Sequence, residues 1–211
     1  DAQGPDVVWP IPHGKILKEN HLGKNILHYD SMLVLAHFKG HPMGGYGGAL
    51  KQLSIGCASR AGKALIHSAG KTDDRFATWQ QHASAVEFPE AMADAASSVV
   101  EHFRGKLACI NVMKNLSVDC DCNGNPAEPD MHDIGILASA DPVALDQACV
   151  DACLRQQPIP GSLLDDRMHE EGFHDLHDHF RNVTPECEWE SCLAHGEKIG
   201  LGSRTYELIR V

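Results

Sequence analysis

The chain has 211 residues, 43% hydrophobic and 22% charged, with a formal net charge of −11. That length supports one full core, while the negative charge repels phosphate backbones and no basic stripe interleaves with aromatics, which argues against a nucleic-acid partner. No apolar run approaches the roughly 20 residues that cross a bilayer, and "DAQGPDVVWP" has neither a basic stretch nor an apolar run of a leader, so no membrane partner and a cytoplasmic location are expected.

In chain order, the first 30 residues are rich in glycine, proline and polar groups and read as a lead-in. "SMLVLAHF" reads as a buried strand, and "GALKQLSIGCAS" as a helix entered from a glycine loop and ending near Gly56. "TWQQHASA" suits a short helix. "FPEAMADAASSVVEHFRG" is a helix with Met92, Ala95, Val99 and Phe103 on one face and Gly105 as its stop. "KLACINVMKNLSV" is a strand, "CDCNGNPAEPD" a loop, and "DIGILASAD" another buried strand. "DPVALDQACVDACLRQ" is a helix with Asp141 as N-cap and Pro142 at its first position. "DDRMHEEGFHDLHDHF" and "PECEWESCLAHGEKIG" read as polar helical segments, and "RTYELIRV" as a closing strand. Strands alternating with helices define an α/β class: a layered sheet with flanking helices in a single domain over 1–211, with a polar helical extension over 156–200.

Eight cysteines are too few for a disulfide scaffold of this length. With no C-x-x-C among them, reduced thiols in an intracellular setting are expected. Cys57 and Cys109 sit in apolar stretches and read as small buried hydrophobes.

Three constellations could carry chemistry. His37 and His41 are four apart at a strand end, about 13 Å if extended, but Gly40 and Pro42 impose a turn that could fold His41 back. The run Gly44, Gly45, Gly47 and Gly48 enters a helix, an arrangement whose backbone N–H groups can hold an anion, with Lys39, Lys51, Arg60 and Lys63 supplying charge. It matches neither G-x-G-x-x-G, since Leu50 fills the last position, nor a Walker A loop. Cys120 and Cys122 in "DCDC" make a poor disulfide but can offer two thiolates to a soft metal, with Asp119, Asp121 and Asp130 nearby. Sites in α/β sheets gather at the carboxyl ends of strands, where His37, His41 and Cys120 to Cys122 would lie. Asp146, Cys149 and Cys153 share a helical face and read as a core stripe. His174, His177 and Asp178 read as a solvated polar face.

The strings "AHFKGHPMGGYGGALKQLSIGCASRAGKALIHS", "FPEAMADAASSVV", "GKLACINVMKNLSVDCDCNGN" and "DIGILASADPVALDQACVD" resemble, in that order, the family named domain of unknown function 362. The resemblance spans residues 30–155 and the "GLGSRTYELI" ending. It implies an association with iron–sulfur or ferredoxin proteins, many from anaerobes. Many members carry a two-cluster ferredoxin insert; here the corresponding gap, "AGKTDDRFATWQQHASAVE", has no cysteine, so no ferredoxin-type cluster motif transfers. Longer members also extend before the part matching Asp1, so a fragment, a shortened member or half of a site is expected. The residues that transfer are His37, Lys39, His41, Gly44, Gly45, Gly47, Gly48, Lys51, His67, Cys120, Cys122, Asp133 and Asp141.

The leading expectation is a metal-binding, redox-related site with iron or zinc on His37, His41, Cys120 and Cys122 and with His67 in reserve. Lys39, Lys51 and His67 are the candidate catalytic groups, and the four glycines the ligand-binding loop. The alternatives are a metal-independent enzyme or binding module for a small anionic ligand, and a scaffold for a redox partner protein.

Overall fold

The lead-in forms an antiparallel ribbon, β1 (Asp6–Pro10) with β2 (Glu19–Gly23), in a computed structural model that describes residues 6–170 and 177–211. The ribbon is tied down by one buried carboxylate. Asp94 Oδ2 accepts hydrogen bonds from the Lys15, Ile16 and Leu17 N–H groups at 2.6–2.9 Å.

Along β3 (Met32–His37) Val34 and Ala36 are buried and Leu33 and Leu35 exposed, the alternation of a strand covered on one side. Two short strands follow as a hairpin, β4 (Lys39–His41) and β5 (Gly45–Gly47). Helix α1 (Ala49–Lys51) continues as a wider π-helical stretch, Gln52–Gly56. Helix α2 (Arg60–His67) starts at Ser59, whose hydroxyl accepts from the Gly62 N–H. The expected helix in "TWQQHASA" shrinks to one 3₁₀ turn, Thr78–Gln80.

Helix α3 (Glu87–His102) buries Phe88, Ala91, Met92, Ala95, Ala96 and Val99 at spacings of three and four, and Gly105 at φ 73° allows the reversal after it. Strand β6 (Leu107–Met113) lies parallel to β3, and β7 (Gly135–Ser139) antiparallel to β6, in the order β3–β6–β7. Helix α4 (Pro142–Leu154) is capped by Asp141, which accepts from the Val143 and Ala144 N–H groups. Helices α1 and α4 pack on the sheet and α3 packs on α1, and Phe38, Phe88 and Phe103 are fully buried. Each contributes roughly 1.5–3 kcal/mol by leaving water.

Two strand expectations change. "DIGILASAD" is not buried: Ile136 is 68% exposed, because β7 ends the sheet and the face it shares with Leu33 and Leu35 is uncovered. "RTYELIRV" forms no strand and has no ladder partner among the described residues. Side chains hold it against α4 instead, Arg204 to Gln147 and Tyr206 to Asp151.

The helical segments after residue 156 are less polar than expected. α5 (Leu163–His169), α6 (His179–Val183) and α7 (Trp189–Lys198) bury Leu164, Phe180, Trp189, Cys192 and Leu193. α7 packs on α3, where buried His195 Nε2 lies 2.8 Å from Asp94 Oδ1. Asp178 is buried rather than solvated and accepts from the Trp189 indole N–H and from Arg181. His174 lies outside the described residues.

Candidate functional site

Parallel pairing brings together what sequence separates. β3 and β6 are neighbours with His37 opposite Val112, so the segments leaving their carboxyl ends run side by side. The Gly40 N–H donates to the Ser117 carbonyl at 2.8 Å. A Cβ on Gly40 would stand 2.3 Å from the Val118 carbonyl oxygen, so only glycine admits this approach. The loop after β6 thereby lays Cys120, Asp121 and Cys122 against the β4–β5 hairpin.

Asp121 is the clamp. Its Oδ1 lies 2.8 Å from His37 Nδ1, and its Oδ2 accepts from buried Lys39 Nζ at 2.5 Å. Partial burial raises the carboxyl, but the Lys39 ammonium and the His37 ring outweigh it and hold it below its ordinary range. His37 Nε2 is 2.6 Å from the Lys114 carbonyl oxygen. Both ring nitrogens are therefore engaged in this structure.

Cys120 is buried, and Lys51 Nζ donates to its sulfur at 2.7 Å. Burial raises the thiol, yet the Lys51 contact and hydrogen bonds from the Cys122 N–H and thiol bring it below its ordinary value. Cys122 is exposed, and its thiol is raised because it holds the proton it shares with Cys120. The arrangement is a buried, lysine-backed sulfur beside a solvent-facing thiol.

The glycine run serves differently from the expected anion cradle. Gly44, Gly45 and Gly47 form the tip and second strand of the hairpin, Gly48 precedes α1, and the helix end there is already filled. Buried Asp146, from α4, accepts from the Ala49 and Leu50 N–H groups at 2.9 Å each and from the Asn111 side chain at 2.7 Å. Desolvation pushes this carboxyl up to about 6 against those three donors. A Cβ on Gly48 would stand 2.5 Å from Asp146 Oδ1, and one on Gly45, at φ 77°, 2.6 Å from the Trp189 Cβ. Gly47 leaves room for lysines: its Cβ would lie 3.0 Å from Lys51 Cδ and 3.9 Å from Lys39 Cε. Gly44 donates its N–H to His41 Nδ1.

His41 and His37 do not converge on one ion. His41 turns inward, accepts from the Met43 and Gly44 N–H groups, and stacks on Phe88 at 5.9 Å. Burial, then Lys51, His67 and Lys39, lower it to about 3, so it is a neutral ring. His67 Nδ1 meets the Lys63 carbonyl, and its ring packs on the other partner of this cluster, Phe88, at 5.0 Å. Desolvation lowers it as well. Asp119 and Asp130 spend their carboxylates on backbone N–H groups, Asp119 at Ala127 and Asp130 at Val118 and at Leu164 in the first turn of α5. Asp133 likewise accepts from the Asn115 N–H. Among the described residues, no group of three or more His, Cys, Asp or Glu is placed to hold a metal ion. A four-cysteine iron–sulfur cluster does not fit a site with two thiols.

Sequence reasoning named most of the cluster but missed the part of Asp146, which sits in an apolar helical stripe and looked like core. Its signal was chemical: an unpaired carboxylate on a buried face needs donors. An open groove of about 720 Å³ lies at the opposite end of the sheet, between Trp9, His102, Leu107 and Leu201. Its lining carries His13, His102, Glu101 and Arg104 but neither lysine nor thiol, so it is separate from the cluster described above.

Fold and site together define a mixed α/β protein with a lysine-backed pair of thiols beyond the carboxyl ends of two parallel strands. The chain belongs to the family described as Domain of unknown function (DUF362), whose model matches residues 1–151 and so includes every residue of this cluster. No curated protein and no solved structure matches it.

Proposed function

We propose that this chain is a thiol-based redox protein in which Cys120 and Cys122 cycle between dithiol and disulfide. The observation that carries the reading is the 2.7 Å contact from Lys51 Nζ to the buried Cys120 sulfur, beside the exposed Cys122. A Cys-x-Cys disulfide closes a small, strained ring, and strained disulfides are readily reduced. A lysine that steadies the reduced sulfur drives the couple in the same direction.

Exposure assigns the roles. In the reducing direction a substrate thiolate attacks Cys122 Sγ, the S–S bond breaks, and its electron pair leaves on Cys120, where Lys51 receives it. A second substrate thiolate then attacks the substrate sulfur of the mixed disulfide, releasing the substrate disulfide and the Cys122 thiolate, which takes up a proton. A low-molecular-weight disulfide such as oxidised glutathione restores the pair: Cys122 exchanges first, giving up its proton, and Cys120 attacks Cys122 Sγ to expel the second thiolate.

The test is equilibration in glutathione redox buffer followed by peptide mapping. A Cys120–Cys122 linkage that forms and disappears with the buffer ratio, and is absent from Cys122→Ser, is the expected result. Reversible linkage elsewhere among the cysteines, or none, overturns the reading. So does stoichiometric metal on anaerobically purified protein that is lost from both Cys120→Ser and Cys122→Ser, which returns the site to the metal expectation.

A further inference from the structure

Asp121 is the one residue between the two thiols, and it is fastened at both carboxylate oxygens. Oδ1 lies 2.8 Å from His37 Nδ1, and Oδ2 accepts from Lys39 Nζ at 2.5 Å. The two fasteners are themselves tied to strand ends. His37 Nε2 lies 2.6 Å from the carbonyl oxygen of Lys114, just past β6, and Lys39 Nζ also donates to the His37 carbonyl at 2.9 Å. Lys39 is buried in β4, so its ammonium has little freedom to follow a moving partner. The backbone is held as well: the Asn123 N–H donates to the Cys120 carbonyl at 2.9 Å, closing a turn with Asp121 and Cys122 at its centre. In this turn Cys120 is buried against Lys51 and Cys122 is exposed.

A disulfide between them closes a strained ring in which Asp121 is the only intervening residue. Peptide bonds are stiff, so the adjustment falls on the backbone torsions of that residue, and turning them swings its side chain off its two partners. We infer that Asp121 is a positioning residue: with His37 and Lys39 it holds the turn in the dithiol geometry, and the disulfide closes only when this clamp opens. The inference rests on the redox reading above and supplies its regulation, since whatever draws Asp121 off Lys39 favours the disulfide.

Equilibration in glutathione buffer at one pH reads the balance, two glutathione thiols being oxidised to one glutathione disulfide for each Cys120–Cys122 bond reduced. Asp121→Ala and Lys39→Met should each shift it toward disulfide by roughly fivefold, the effect of losing a charge-assisted hydrogen bond that is partly open to water. Asp121→Asn, which keeps one acceptor for Lys39, should fall between wild type and Asp121→Ala. The double variant Asp121→Ala, Lys39→Met should move little further than either single one, because both remove the same contact. A plain field effect on the sulfurs predicts opposite signs, since one change removes a negative charge and the other a positive one. Asp119→Ala, which frees the Ala127 N–H in the same loop, should leave the balance unchanged. Opposite signs, no shift, or an equal shift in Asp119→Ala overturns the proposal and leaves the redox reading standing. A linkage formed in Asp121→Ala but absent from wild type upholds the clamp and removes the redox reading; a linkage absent from both removes both.

Discussion

Lys51 Nζ donates to Cys120 Sγ at 2.7 Å across 69 residues of sequence, joining the end of α1 to the loop after β6. The contact ties a buried sulfur to a fixed cation, which makes the reduced pair the favoured form under the redox reading.

Replacing Lys51 by methionine keeps the length of the side chain and removes the charge. Burial then acts on Cys120 without its main opposing contact. The thiol should titrate at higher pH, followed in Cys122→Ser by thiolate absorbance near 240 nm. The dithiol–disulfide equilibrium should shift toward disulfide by roughly tenfold per unit of that rise. An unchanged titration means that the contact does not govern the sulfur.

Asp146→Ala should lower stability by about 3 kcal/mol or more in urea unfolding. It strands the Ala49 and Leu50 N–H groups and the Asn111 amide without an acceptor in the core. Loss below 1 kcal/mol would show that water replaces the carboxylate.

Gly48→Ala should cost about 1–3 kcal/mol, because its Cβ collides with Asp146 Oδ1 and the Phe38 ring. Gly124→Ala, in the loop after Cys122 with nothing within 4 Å of the added carbon, should be close to neutral. Equal effects at both positions would contradict the close approach at Gly48.

His41 supplies the pH dependence. Its folded value lies near 3 against 6.5 for a free ring, so between those values the unfolded chain binds the proton more readily. The contribution of His41 to stability is complete above pH 6.5 and falls as pH drops toward 3. Asp146 runs the opposite way: its raised value makes its contribution complete below 3.8 and lost as pH rises through about 6. Unfolding midpoints of wild type, His41→Gln and Asp146→Asn measured from pH 4 to 7 separate the two. His41→Gln should flatten the acid loss, and an identical pH profile in that variant would clear the ring of the role.

The elements were legible because their signals are local. The three- and four-residue spacing of α3 and the Asp141–Pro142 start of α4 follow from covalent periodicity, and each lies where the pattern placed it; β3 was legible as a strand, but its apolar run did not show that Leu33 and Leu35 face outward. His37, Lys39, Lys51, Cys120 and Cys122 were also legible as reactive types at strand ends. Which of them meet was not. His37 takes Asp121 rather than His41, and Lys51 takes a sulfur rather than an external anion. Asp146 fills the helix end reserved in expectation for a ligand.

By itself, then, the sequence determined the α/β class, the strand-end location of the reactive residues and the chemistry they can perform, because side-chain identity and short-range periodicity are properties of the chain alone. Tertiary structure decided the pairings. The parallel register of β3 with β6 sets His37 opposite Val112 and brings residues 37–51 against residues 117–122. A long-range register depends on which faces bury together, and that is settled only when the whole core closes.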